Sequence, residues 1–205
     1  MNRFEFLTNT GLLAAMGILP EPVLAQSAET KTDAPLLKPV LVPAQKPLDH
    51  NGGMAIRTHI RSSMTNGLYS NVECAVAPKL MGPPPHYHKE LDELMYVIEG
   101  EATVLVGKDI VTIKAGGWHL RPRMINHTFW NASEQSLRFI DMYFNQPFEE
   151  YLERIFHQLT VENGYQDGTD KKFQEINKLN EKFRVVFEPS AFDQQNEIKK
   201  QYQLK

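Results

Sequence analysis

His86 and His88 are separated by a single tyrosine, Glu93 follows five positions later, and His127 sits in a second, distant segment; nothing else in this 205-residue chain restricts its fold so sharply. Residues two apart on an extended segment point to one face, so an extended His86-Tyr87-His88 presents both imidazoles to the same side. Glu93 is an odd number of positions beyond His88, which would turn it to the opposite face of an unbroken strand, so the polar stretch Lys89 to Asp92 must bend the chain. Beyond the bend, Leu94-Met95-Tyr96-Val97-Ile98 is an apolar run of β-formers ended by Gly100, the pattern of a strand covered on both faces and headed by Glu93. In the second segment Gly116-Gly117 turns the chain, Trp118 to Arg121 extends it, Pro122 breaks it, and His127-Thr128-Phe129-Trp130 opens a new strand with His127 and Phe129 on one face. Closing such strands into a barrel or jelly roll directs the inward positions to one cavity, where His86, His88, Glu93 and His127 could surround a metal ion.

Three imidazoles and a carboxylate, with no thiolate nearby, suit one divalent first-row transition metal, whether iron, manganese, nickel, cobalt, copper or zinc; magnesium and calcium favour all-oxygen sites. Four protein ligands leave one or two positions open, so a Lewis-acidic metal could hold a deprotonated enol or phenol oxygen of a small molecule. Glu93 is the candidate catalytic residue, a carboxylate able to serve as ligand or as proton acceptor. Parity places Met95 and Val97 on the face of Glu93, and Phe129 on that of His127, as an apolar lining for a substrate. His119 and Arg121 share one strand face and either anchor an anionic substrate or face solvent, because parity does not say which face is inward. Tyr96, opposite Glu93, is expected outside the barrel.

These two segments resemble the two motifs of the cupin superfamily. The first motif is met by His86, His88, Glu93 and Gly100, although its leading glycine, Gly82, stands three residues before His86 where the family pattern has five. In the second motif Gly116, Pro122, His127 and Asn131 fall at the family spacing, while Met124 replaces the glycine usual two residues after the proline, which implies a different turn or strain. The run Gly82-Pro83-Pro84-Pro85-His86-Tyr87-His88 with Asp92 to Gly100, together with a helical tail, is similar to single-domain quercetin-dioxygenase-like cupins. The resemblance implies an all-β fold, a cupin jelly-roll barrel with a short C-terminal helical extension, and suggests an oxygenase. Isomerases, lyases and non-catalytic binding proteins occur in the same superfamily, so an oxygen-independent isomerase or lyase and a small-molecule binding protein remain alternatives.

Around the motifs, alternation of Met54, Ile56 and Ile60 with polar residues, an Asn66-Gly67 turn, and runs at Leu68–Ala77, Ala102–Val106, Ile110–Ile113 and Leu137–Phe144 predict further strands, so the barrel is expected over residues 54–147. After Pro147, Phe148, Tyr151, Leu152, Ile155, Phe156 and Leu159 recur at helical intervals up to Gly164. A second helix is predicted with Asp170 as N-cap and an apolar stripe of Phe173, Ile176, Leu179 and Phe183. The last fifteen residues of the 148–205 extension are polar and expected to be loosely held. Residues 26–53 carry Pro35, Pro39, Pro43 and Pro47 and read as an extended arm, which could wrap a neighbouring subunit in a homodimer. Residues 1–25, with Arg3, an apolar stretch from Gly11 to Leu19 and small residues near Ala25, read as an export signal, placing the mature protein in a bacterial-type periplasm or outside the cell. The single Cys74 excludes an intrachain disulfide. A net charge of −3 without a basic stripe argues against nucleic acid, and no apolar run is long enough for a membrane span in the mature chain, which leaves a small molecule as the expected partner.

Overall fold

The computed structural model describes residues 36–205; the expected export signal and its cleavage point near Ala25 lie outside the described residues. Among the described residues, eleven strands and three α-helices follow in the order β1 (Met54–Ile60), β2 (Tyr69–Val76), β3 (Leu80–Met81), β4 (Tyr87–His88), β5 (Asp92–Glu99), β6 (Glu101–Val106), β7 (Asp109–Lys114), β8 (Trp118–Arg121), β9 (His127–Asn131), β10 (Leu137–Phe144), α1 (Phe148–Glu153), α2 (Asp170–Lys182), β11 (Val185–Val186) and α3 (Ala191–Tyr202). One sheet runs β1-β2-β10-β5-β8, a second runs β3-β9-β6-β7, and a short third joins β11 to β4; the strand pairs are antiparallel.

Parity decides what each sheet buries. Along β5, Glu93, Met95 and Val97 are buried while Leu94, Tyr96 and Ile98 are half-exposed; along β10, Leu137, Phe139, Asp141 and Tyr143 are buried. Val72, Cys74 and Val76 of β2, Val104 of β6 and Phe129 of β9 complete one continuous core with these side chains. Tyr96 lies on the outer face, its ring against that of Trp118 at 4.4 Å between centroids. The chain bends at Lys89 and Glu90, so the odd spacing from His88 to Glu93 is absorbed and both side chains point inward.

Beyond the barrel the structure departs from expectation in four places. The first helix is short: α1 passes into a wider, π-type turn over Arg154–Gln158, ending before a turn at Gly164 with positive φ. Thr169, not Asp170, caps α2, its hydroxyl accepting from the Lys172 backbone N–H at 3.4 Å, because the cap needs extended backbone and Asp170 is already helical. The polar tail is not loosely held. It forms α3, whose buried Ile198 packs with Met81 and Trp130, with Tyr202 beside them. β11, which no periodicity announced, pairs Val185 with His88 and Val186 with Tyr87, joining the tail to a candidate ligand strand. The described part of the N-terminal arm, residues 36–53, forms no strand, and Leu36 and Leu41 are exposed.

Candidate metal centre

His86 and His127 face each other across paired backbone hydrogen bonds, His86 N–H to His127 O at 3.0 Å and the reverse at 2.8 Å. Their rings lie 4.8 Å apart between centroids, with His88 at 5.0 Å from the first and 5.4 Å from the second. One nitrogen from each of the three falls within 4.8 Å of the others, a spacing compatible with a single ion between them. All three imidazoles are buried.

The ring orientations are fixed by the backbone. His86 Nδ1 lies 2.9 Å from the Pro84 carbonyl and His127 Nδ1 lies 2.9 Å from the Ile125 carbonyl. A carbonyl can only accept, so each Nδ1 carries the proton and each Nε2 presents a lone pair inward, the arrangement a metal-binding histidine needs. The tight backbone around them has its own requirements. A Cβ on Gly82 would stand 2.3 Å from the Phe129 carbonyl oxygen, so only glycine lets this loop close on β9. Met124 adopts φ 64°, the left-handed backbone that glycine favours, and donates its N–H to the His88 carbonyl at 2.8 Å.

Glu93 reaches the same point from β5. Its Oε1 is 3.0 Å from His88 Nε2, and its Oε2 is 3.2 Å from His127 Nε2 and 3.1 Å from Arg121 Nε. Register explains the neighbours: Glu93 pairs with Arg121 on β8 and with Tyr143 on β10. Arg121 is buried and also pairs with Asp141, whose other oxygen is 3.4 Å from the Tyr143 hydroxyl. Burial pushes the Glu93 carboxyl up, but the guanidinium of Arg121 and the adjacent His88 and His127 outweigh it and hold the group well below the usual carboxylate range. Burial pushes Asp141 upward, against the pull of Arg121. Burial, reinforced by the neighbouring His127 and His88, depresses His86 well below an ordinary imidazole, so it stays neutral.

The donor set fits a divalent ion. Both nitrogens of His88 and the Nε2 of His127 are buried with no well-aligned hydrogen bond among the described residues, despite carboxylate oxygens nearby. Buried polar atoms are rarely left so, and groups that converge on a common point are misaligned with one another when the point itself is the intended partner.

A cavity of about 330 Å³ opens on this centre and is lined by His86, Glu93, His127, Arg121, Asp141 and Phe129, with an apolar wall beyond them. Of the sequence candidates, Phe129 lines the cavity. Met95 and Val97 share Glu93's face but are fully buried in the core and do not line it, because the cavity lies at the Glu93 end of β5. Arg121 faces inward, with its guanidinium engaged by two carboxylates. His119, on the same face, is half-buried, pairs across strands with Met95 and does not line the cavity. Asp141 and Tyr143 were missed, although a charged residue in the buried register of Leu137, Phe139 and Tyr143 was the signal for them.

Residues 72–143 match the family model described as Cupin domain. No curated protein matches the chain. Among solved structures, KdgF from Halomonas sp. is similar at 17% identity, covering 50% of this chain and 88% of that one with a TM-score of 0.44. TT1209 from Thermus thermophilus is 22% identical over 46% of this chain and 86% of that one, with a TM-score of 0.42. The cupin domain of an XRE family transcriptional regulator from Enterobacter cloacae is 17% identical over 45% of this chain and 96% of its own, with a TM-score of 0.40.

Proposed function

We propose, from the premise that residues 72–143 form a cupin domain, that this chain binds one divalent first-row transition metal through His86, His88 and His127 and presents it to a small molecule. The observation that carries the reading is the set of inward imidazole nitrogens, buried and without aligned partners, beside an ionised Glu93 at the foot of a cavity.

When bound, the metal supplies Lewis acidity and, if redox-active, electron transfer to dioxygen. The chain's own residues do the rest. The Pro84 and Ile125 carbonyls set the imidazole tautomers; Arg121 fixes the orientation of Glu93; the apolar wall excludes water, which strengthens every interaction inside. Glu93, with one oxygen turned to His88 and the other to His127, lies where it can join the ligand set or take a proton from an enol or phenol. A dioxygenase acting on such a substrate is the function we favour; an oxygen-independent isomerase or lyase, or a binding protein, is the alternative. We further propose that the chain is exported, on the composition of residues 1–25, which N-terminal sequencing of the mature protein tests.

Elemental analysis of the purified full chain, followed by oxygen uptake with flavonols, catechols and 1,3-diketones, tests the activity. The dioxygenase reading expects oxygen consumption that falls at least tenfold in Glu93→Gln while metal is partly retained. Substrate turnover that proceeds under nitrogen would replace it with the isomerase or lyase, and unchanged oxygen uptake in Glu93→Gln would remove Glu93 from the reaction.

A further inference from the structure

The wall that faces the metal centre does not come from the barrel alone. Leu152 of α1, Ile155 and Phe156 of the π-type turn, and Phe187 just past β11 line the cavity and pack against the barrel core, partly buried. They lie outside the segment that matches the cupin model. Phe187 stands with its ring 5.3 Å from that of His86, and it is held there by the pairing of Val185 with His88 and by the bond from Lys89 N–H to the Arg184 carbonyl at 3.1 Å. A π-type turn widens the helix where it occurs and recurs at functional sites; here it sets Ile155 and Phe156 against the cavity.

Polarity is distributed unevenly around this space. Every charged residue that lines it belongs to one connected cluster of His86, His127, Glu93, Arg121 and Asp141, and Tyr143 bonds to that cluster through Asp141. The one other phenol, Tyr151, has its hydroxyl turned to Asn180 at 2.8 Å, leaving its ring to the cavity. A ligand with hydroxyls or a second carboxylate distant from the cluster would find no partner for them, and polar groups buried without a partner weaken binding. At about 330 Å³ the space is at the small end of ligand pockets.

We infer that Leu152, Ile155, Phe156 and Phe187, contributed by the C-terminal extension, select the ligand, and that they select a compact molecule with one acidic or enolic head and an otherwise apolar body, not a sugar acid or a dicarboxylate. The inference rests on the proposed metal-binding function for the head and on the extension for the body.

The test titrates two probes of similar size, benzoylacetone and galacturonate, into the full chain reconstituted with zinc, which does not react with oxygen, and follows heat of binding. Benzoylacetone should bind at least tenfold more tightly. Leu152→Trp, which fills the cavity, should weaken benzoylacetone at least tenfold with zinc content unchanged. Ile155→Ala, which enlarges the space without adding bulk, should raise the affinity of dibenzoylmethane relative to benzoylacetone at least threefold, and so tests the same wall should the tryptophan variant fail to fold. Equal or tighter binding of galacturonate, no binding of benzoylacetone, or an unchanged dibenzoylmethane ratio in a folded Ile155→Ala would overturn the inference. Failure to take up zinc would overturn the proposed function separately; benzoylacetone should still be preferred by the metal-free protein, because the wall is intact.

Discussion

Arg121 carries more of this site than its position in the sequence suggests. It is buried between Glu93 and Asp141, so the two carboxylates are ionic partners of one guanidinium instead of neighbours that repel. Replacing it with methionine would keep most of the volume but leave Asp141 without its ionic partner and Glu93 with the imidazoles alone. We predict that Arg121→Met costs about 3–5 kcal/mol, the usual consequence of removing one partner from a buried ion pair, measurable by urea unfolding at neutral pH. A loss below about 1 kcal/mol would mean that the guanidinium is a passenger. The candidate ligands were legible at this scale because ligation needs particular side chains at particular spacings, and His86, His88, Glu93 and His127 do arrive at one point. The orientation of Arg121 was not legible. Parity groups His119 with Arg121 but is silent on which face is inward, and the answer came from the register of β8 against β5, a tertiary fact.

At the scale of elements, the strands followed their alternation closely, and even the missed Asp141 sat in plain alternation on β10. The extension is less legible in the sequence. Helical spacing located α1 and α2, but not the widening at Arg154–Gln158, which depends on what the turn packs against. β11 is two residues long and has no period to detect; it exists because β4 offers it backbone partners. α3 is polar on most positions, the pattern of a loose tail, yet Ile198 and Tyr202 suffice to dock it on Met81 and Trp130. A helix whose stability comes from a few tertiary contacts announces itself weakly in sequence. These are the elements that carry Phe187 to His86.

For the whole molecule, charge on the outside of the barrel is as organised as charge within. Glu73, on the outer face of β2, takes Arg57 at 2.6 Å, His59 at 2.9 Å and Arg138 at 2.9 Å, linking β1, β2 and β10. Burial raises its carboxyl, but the hydrogen bonds from Arg57, Arg138 and His59 outweigh that and hold it down at about 2. Because the folded value lies below the unfolded one, the stabilisation is fully present above the ordinary carboxylate range and is lost as pH falls towards about 2. Glu73→Gln should therefore be less stable than the parent at neutral pH, with the gap narrowing between the ordinary carboxylate value of 4.5 and about 2, as thermal unfolding across that range would show. A gap that is constant with pH would mean that the cluster contributes through packing alone.

Three imidazoles from two separate segments converge on one point, where an ion would remain open to a ligand. X-ray absorption fine structure at the metal edge of the reconstituted full chain reads this directly. Ligation by three imidazoles predicts a first shell of nitrogen and oxygen with the outer-shell scattering of three imidazoles, and one imidazole fewer, or no bound metal, in a folded His127→Ala. A first shell with sulfur, or a spectrum identical in the parent and in His127→Ala, would contradict it.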